Sequence, residues 1–306
     1  MMYKIIIWGT GHLYNQYINC IRMQEFLGKL MVQGVTSNER DVTMVDGYRF
    51  VPKTEFESVE YDCCVVAARN FQAVLKEAQS MRIDTQKCIP IQVFSIPFFD
   101  IAKYMKVKKA HVSIISRNCF AGLCYNYLGF PFDSPFINMF FSDSDFNKLM
   151  KRFDYYLTVP LEFERMDFEN NLKRAYPVGR LGDIFLHFNH YNNFEEAKAC
   201  YDRRKQRINK GNLIFISQTL SKNVEKEFDD ISVCARKVIF VPWNSALKSS
   251  IRINYTDEEK NRGITIGMKS NDIAKGDDPL IDLLSFLNGE ENFLRVQKHT
   301  NPEHKL

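Results

Sequence analysis

Short apolar runs rich in β-branched residues alternate with helical patterns along most of this chain, and this alternation constrains its fold more than any other feature. The first run, residues 3–8, contains Ile5-Ile6-Ile7 and has no polar face. Strands of that kind are buried on both sides, as in parallel sheets. Gly9-Thr10-Gly11 then turns the chain into a helical pattern that lasts to about Met23. Further strands are predicted at 31–35, 63–67 and 89–93, with a short helix near Glu55 and a longer one over 71–81. Strands that alternate with helices read as crossover units of a parallel sheet.

Residues 100–109 carry Lys103, Lys106, Lys108 and Lys109 among few large apolar side chains and read as a linker. A second alternation follows. Strands are predicted at 112–116, 136–141, 184–189, 213–217 and 238–241, and helices at 119–128, 145–156, 194–208, 223–229 and 280–287. The stretch 244–278 is polar and aperiodic and reads as loops, and the polar end from Lys298 is expected to fray. The predicted fold class is α/β: two Rossmann-like, mostly parallel-sheet domains with helices on both faces. Residues 1–100 form the N-terminal domain and residues 111–306 a larger one with a C-terminal helix.

Composition narrows the function classes. With 25 Phe, aromatic cores are expected, and a net charge of +4 is too small to predict nucleic-acid binding. The eight cysteines show no C-x-x-C pair and mostly lie in apolar runs, which points to a reducing compartment and a cytoplasmic location. Met1-Met2-Tyr3-Lys4 leads into a strand without the apolar core of a secretory signal, and no apolar run approaches the roughly 20 residues of a membrane span. A small-molecule or glycan substrate is the expected partner, and the oligomeric state is not legible.

Five places carry candidate chemistry. Gly9-x-Gly11 opens a dinucleotide fingerprint, in which glycine lets the backbone approach a phosphate at a helix N-terminus. Tyr14 occupies the third glycine slot, and Thr36-Ser37-Asn38 offers no carboxylate for a ribose, so a plain structural turn competes with ligand binding. Asp143-Ser144-Asp145 leaves room for a divalent cation, but the same letters start a helix capped by Ser142. On the helix over 194–208, Arg204 shares a stripe with Phe194, Ala197, Tyr201 and Ile208, so it is a snorkelling arm, an internal ion-pair partner with Asp183 as the candidate, or a binder of phosphate or carboxylate. His187 reads as a core histidine, whereas His190 and Tyr191 fall where the chain leaves a strand. If the strands are parallel, that rim also gathers Ser116-Arg117-Asn118-Cys119, Ser142-Asp143, Ser217-Gln218 and Trp243-Asn244. Cys119, at a helix start beside Arg117, is either a nucleophile or a buried apolar side chain.

The run Ser116-Arg117-Asn118-Cys119 through Gly122, Tyr125, Leu128-Gly129 and Ser134-Pro135 belongs with a second block. That block is Tyr176-Pro177-Val178-Gly179-Arg180-Leu181, then Asp183, His187, His190-Tyr191, Phe194-Glu195-Glu196-Ala197, Arg203-Arg204 and Arg207-Ile208-Asn209. Together, over about residues 112–245, they resemble a bacterial family of unknown function often labelled exopolysaccharide biosynthesis proteins. Arg117 stands where that family usually has Asn, and Gly182 where an Asp commonly precedes Asp183. If that Asp were a metal ligand or base, this chain would be impaired. The first domain resembles the N-terminal Rossmann-like domains of sugar-modifying enzymes such as sugar acetyltransferases.

The resemblance implies a place in cell-surface glycan assembly. The expected activity is a transferase acting on a sugar or nucleotide-sugar; the cofactor is not legible, and a nucleotide-sugar donor and a divalent cation both stay open. His190 is the expected general base and Asp183 the residue that orients or charge-balances a neighbour. Ser116, Asn118, Cys119, Tyr191 and Arg204 are expected to bind ligand, with Gly9 and Gly11 in the first domain. The alternative is a non-catalytic ligand-binding or scaffold protein of the same pathway. An NAD(P)-dependent oxidoreductase is disfavoured by Tyr14 and the missing carboxylate.

Overall fold

The computed structural model describes residues 2–38, 42–169, 173–278 and 280–294. The tail expected to fray from Lys298 lies outside them. The chain divides into two compact units, Met1–Met105 with Tyr127–Gly129, and Lys106–Asn126 with Phe130–Leu306.

In the first unit, β1 (Tyr3–Trp8), α1 (His12–Phe26), β2 (Leu30–Thr36), β3 (Met44–Val45), β4 (Tyr48–Arg49), β5 (Cys63–Val66), α2 (Phe71–Ser80) and β6 (Cys88–Pro90) follow in order. The sheet β2-β1-β5-β6 is parallel throughout, and β3 and β4 pair as a short hairpin. Ile5, Ile6 and Ile7 are fully buried, as their unbroken β-branched run requires. Alternation sends Ile6, Trp8, Cys64 and Val66 into one cluster with Phe56 and Ala78. The strand expected over 89–93 stops at Pro90 and continues as the 3-10 turn Ile91–Ser95.

The expected linker is instead a helix, α3 (Ile101–Ala110). Ile101, Tyr104, Met105 and Lys108 are buried at helical spacing, while Lys106 and Lys109 face solvent. The lysine-rich composition hid a stripe that the spacing contains.

The second unit runs β7 (Ser113–Ser116), α4 (Phe120–Leu128), α5 (Asp143–Lys151), α6 (Phe153–Thr158), β8 (Leu161–Glu169), β9 (Arg174–Leu181), β10 (Ile184–His187), α7 (Phe194–Lys205), β11 (Leu213–Gln218), α8 (Lys222–Asp230), β12 (Arg236–Val241), β13 (Ser250–Arg252), α9 (Asp257–Asn261), α10 (Ile266–Ala274) and α11 (Leu283–Asn288). Its parallel sheet has the order β13-β12-β11-β7 and is covered on both faces. Ile239 and Val241 enter a core with Phe146, Phe153, Tyr201 and Phe228, whereas Phe240 points the other way, to Phe120 and Phe286. A second sheet, β10-β9-β8, is antiparallel.

Three expectations change here. The strand over 184–189 is β10, antiparallel and outside the parallel sheet. Residues 136–141 form a connecting segment that touches β10 through the single bridge Phe140–His187, with Asn138 in the left-handed region at φ 62°. The stretch 244–278 holds β13, α9 and α10 rather than loops alone. Thr256 and Glu259 form a reciprocal capping box at α9, and Ile266, Ser270, Ile273 and Ala274 give α10 a buried stripe.

Candidate functional site

Because β7, β11 and β12 are parallel, their C-terminal ends and the loops that follow share one rim. At β7 the chain leaves through Ser116-Arg117-Asn118-Cys119. Ser116 Oγ accepts the Ala121 N–H at 3.0 Å and donates to the Asn118 carbonyl at 2.7 Å. Asn118 Oδ1 accepts the Phe120 N–H at 3.1 Å, while Nδ2 reaches the Gly267 carbonyl and Ser270 Oγ on α10 at 3.3 and 3.2 Å. These bonds cap the start of α4 and fix Cys119 at its first turn.

Two further segments are laid beside it. The Phe141 N–H donates to the Arg117 carbonyl at 2.9 Å, and Phe140 exchanges both backbone hydrogen bonds with His187 at 3.0 Å. The turn after β10 thereby approaches α4, and Cys119 Sγ lies 3.2 Å from His190 Nε2, across 71 residues of sequence. The pair is accessible, with His190 exposed and Cys119 half-buried.

Burial pushes the Cys119 thiol up from its ordinary value. Burial, and then the nearby Arg174 cation, pull the His190 imidazole down. Both shifts favour the uncharged forms, so the resting pair is a neutral thiol beside a neutral imidazole. With the ring proton on Nδ1, Nε2 accepts the thiol proton, which is the arrangement of a nucleophile with its base. The first-turn N–H groups of Phe120 and Ala121 are already taken by Asn118 and Ser116. Negative charge forming at the site must therefore be met by other donors.

The remaining candidates take other places. Asp183 sits at the opposite end of β10 from His190, four strand residues or on the order of 13 Å away. It accepts from Tyr156 Oη at 2.6 Å and pairs with Lys148 at 3.3 Å, and these contacts hold its carboxylate below the ordinary range. Arg204 pairs with neither Asp183 nor a rim group. It is buried, donates to Tyr191 Oη at 2.7 Å and lies over the Phe132 ring, so Arg204 and Tyr191 are engaged with each other in the core. Ser116 and Asn118 build the loop that carries Cys119. Asp143-Ser144-Asp145 is the first turn of α5: Ser142 caps it, Asp143 pairs with Arg117 at 2.8 Å, and Asp145 accepts the Phe185 N–H at 3.4 Å. Among the described residues no three potential metal-ligating side chains converge.

His187 is partly buried, stacked on Phe140, with Tyr176 Oη at 3.4 Å. In the first unit, Gly9 adopts φ 113°, and a Cβ there would lie 2.7 Å from the Ala67 carbonyl, while Gly11 has open space and begins α1. Two surface depressions of about 530 and 840 Å³ lie elsewhere, one lined by Lys151, Asn223 and Glu227, the other by Val42, Arg49 and Phe50. Sequence reasoning missed Arg174 and the contribution of α10. The alternation of β9 could have placed Arg174 on a strand, but nothing in sequence puts it beside His190.

Fold and site together define a two-unit α/β protein with a cysteine–histidine pair at the C-terminal rim of its second parallel sheet. A family described as a domain of unknown function (DUF1919) matches residues 91–288, and one described as the C2185-like N-terminal domain matches residues 1–89. The chain belongs to the DUF1919 family. An uncharacterized protein of Haemophilus influenzae is 32% identical over 163 residues, a stretch covering 52% of this chain and 75% of that protein.

Proposed function

We propose that the protein is a transferase that moves an acyl group to or from a sugar or nucleotide-linked sugar, through a thioester on Cys119. The approach of Cys119 Sγ to His190 Nε2 at 3.2 Å carries this reading. A thiol whose proton is accepted by an imidazole at the start of a helix suits nucleophilic acyl transfer. The sugar substrate rests on the resemblance to proteins labelled for exopolysaccharide biosynthesis.

In the first half-reaction Sγ attacks the acyl carbon of the donor while Nε2 takes the thiol proton. The bond to the leaving group breaks, and His190 returns the proton to that group. In the second half an acceptor hydroxyl gives its proton to Nε2 and attacks the thioester carbon. The carbon–sulfur bond breaks, and the proton goes back to Cys119. Asn118 and Ser116 hold the nucleophile in place and take no proton.

Intact-mass measurement after incubation with a panel of acyl-coenzyme A and acylated nucleotide-sugar donors tests the reading. One donor should add the mass of its acyl group to the wild-type chain and not to Cys119→Ala. In His190→Ala the adduct should form about 10²-fold more slowly or less. An adduct that persists in Cys119→Ala would reject the thioester, and silence across the panel would favour a non-catalytic ligand-binding protein.

A further inference from the structure

We infer that Arg174 is the anion-recognition residue of the Cys119–His190 site, so that the molecule brought to Cys119 carries a carboxylate or phosphate beside its reactive carbon. The inference rests on Cys119 being the reacting group. Arg174 opens β9, and its Nη2 donates to the carbonyl of Asn189, the residue before His190. Its position beside the pair follows from that bond.

Other arginines of this unit have carboxylates at hand. Arg117 has Asp143 at 2.8 Å, Arg165 has Asp167 at 3.1 Å, and Arg180 has Glu162 and Glu164. Arg174 has no ion-pair partner among the described residues, and its buried Nε lacks a hydrogen-bond partner. Glu169 lies opposite it in the β8–β9 register. Arg174, from β9, is the charged group acting on His190, and Cys119, from the start of α4, is its titratable contact.

A guanidinium stays charged at any working pH, and partial burial makes it costly without an anion. Its planar fork offers two parallel N–H groups, which fit the two oxygens of a carboxylate or phosphate. One donor is used on Asn189, leaving others for a ligand. The N–H groups of Phe120 and Ala121 are occupied, so Arg174 is the cation placed to meet negative charge here.

Iodoacetate and iodoacetamide test this without a known substrate. They have the same reactive carbon and leaving group and differ in charge. In each case the sulfur–carbon bond forms, iodide leaves and the thiol proton passes to His190. Alkylation is read site by site by peptide mass mapping, with exposed Cys234 as the internal reference. The iodoacetate-to-iodoacetamide rate ratio at Cys119 should exceed that at Cys234 about tenfold, the size expected of one charge-assisted hydrogen bond. In Arg174→Gln it should fall to the Cys234 value. In the wild-type chain, inorganic phosphate or acetate should slow iodoacetate at Cys119, and the stronger protector identifies the anion. Equal ratios at the two cysteines, or no protection by either anion, would overturn the inference. Iodoacetamide labelling of Cys119 that ignores His190→Ala would instead count against the catalytic pair and leave the Arg174 readout intact.

Discussion

Glu225 on α8 is almost fully buried, yet its carboxylate accepts from Trp243 Nε1 and Ser250 Oγ, each at 2.8 Å. Burial pushes its pKa up, but hydrogen bonds from Ser245, Ser250 and Trp243 outweigh that and hold it below the ordinary value. The stability it contributes is therefore fully present above pH 4.5 and is lost as the pH falls through the lower folded value. Glu225→Ala should cost about 1–2 kcal/mol in urea unfolding at pH 7, because two half-buried donors lose a charged acceptor. Glu225→Gln should flatten the acid side of the stability profile, and an unchanged profile would mean that the carboxylate is neutral in the fold. Asp183 makes the contrasting case. Exposed at the far end of β10, it should tolerate Asn with less than about 1 kcal/mol lost and no change in Cys119 alkylation. Asp183 and His190 are close along the chain, but a strand pushes its two ends apart. Cys119 and His190 are brought together through Phe140 and Phe141, and no spacing rule links residues 71 apart.

At the level of elements, the parallel strands were readable because Ile5-Ile6-Ile7, Cys63 to Val66 and Leu213 to Ile216 are apolar without interruption. The β8–β9 hairpin was not. β8 is an edge strand whose Phe163, Met166 and Phe168 are exposed, and the register shift between Phe163 and Arg165 breaks its period of two. Residues 136–141 misled in the opposite direction: they are apolar because they are buried, while Asn138 turns the backbone out of the β region. Gly9 and Gly11 look equivalent as a motif but differ in what holds them. Gly9→Ala should cost about 2 kcal/mol or more, from its positive φ and the clash with Ala67. Gly11→Ala should cost about 1 kcal/mol, as a poorer helix cap. Equal losses in thermal or urea unfolding would reject this division between a packing glycine and a capping glycine.

For the whole molecule, the family matches divide near residue 90, and the cysteine–histidine pair lies inside the DUF1919 match. Among the described residues no helix is long and apolar enough to cross a membrane. A donor that occupies the site at about a hundred times its dissociation constant should stabilise the chain by roughly 2.7 kcal/mol, visible as a rise in Tm. The proposed reaction depends on one coupling, that His190 takes the proton of Cys119. The pH dependence of iodoacetamide alkylation at Cys119, compared between the wild-type chain and His190→Ala, measures it directly. The wild-type rate should rise as the imidazole loses its proton, below its ordinary 6.5, and persist through neutral pH. In His190→Ala it should wait for the half-buried thiol to ionise above its ordinary 9.0, leaving a difference of about tenfold or more at pH 7.5. Superimposable profiles would contradict the pair as a catalytic unit.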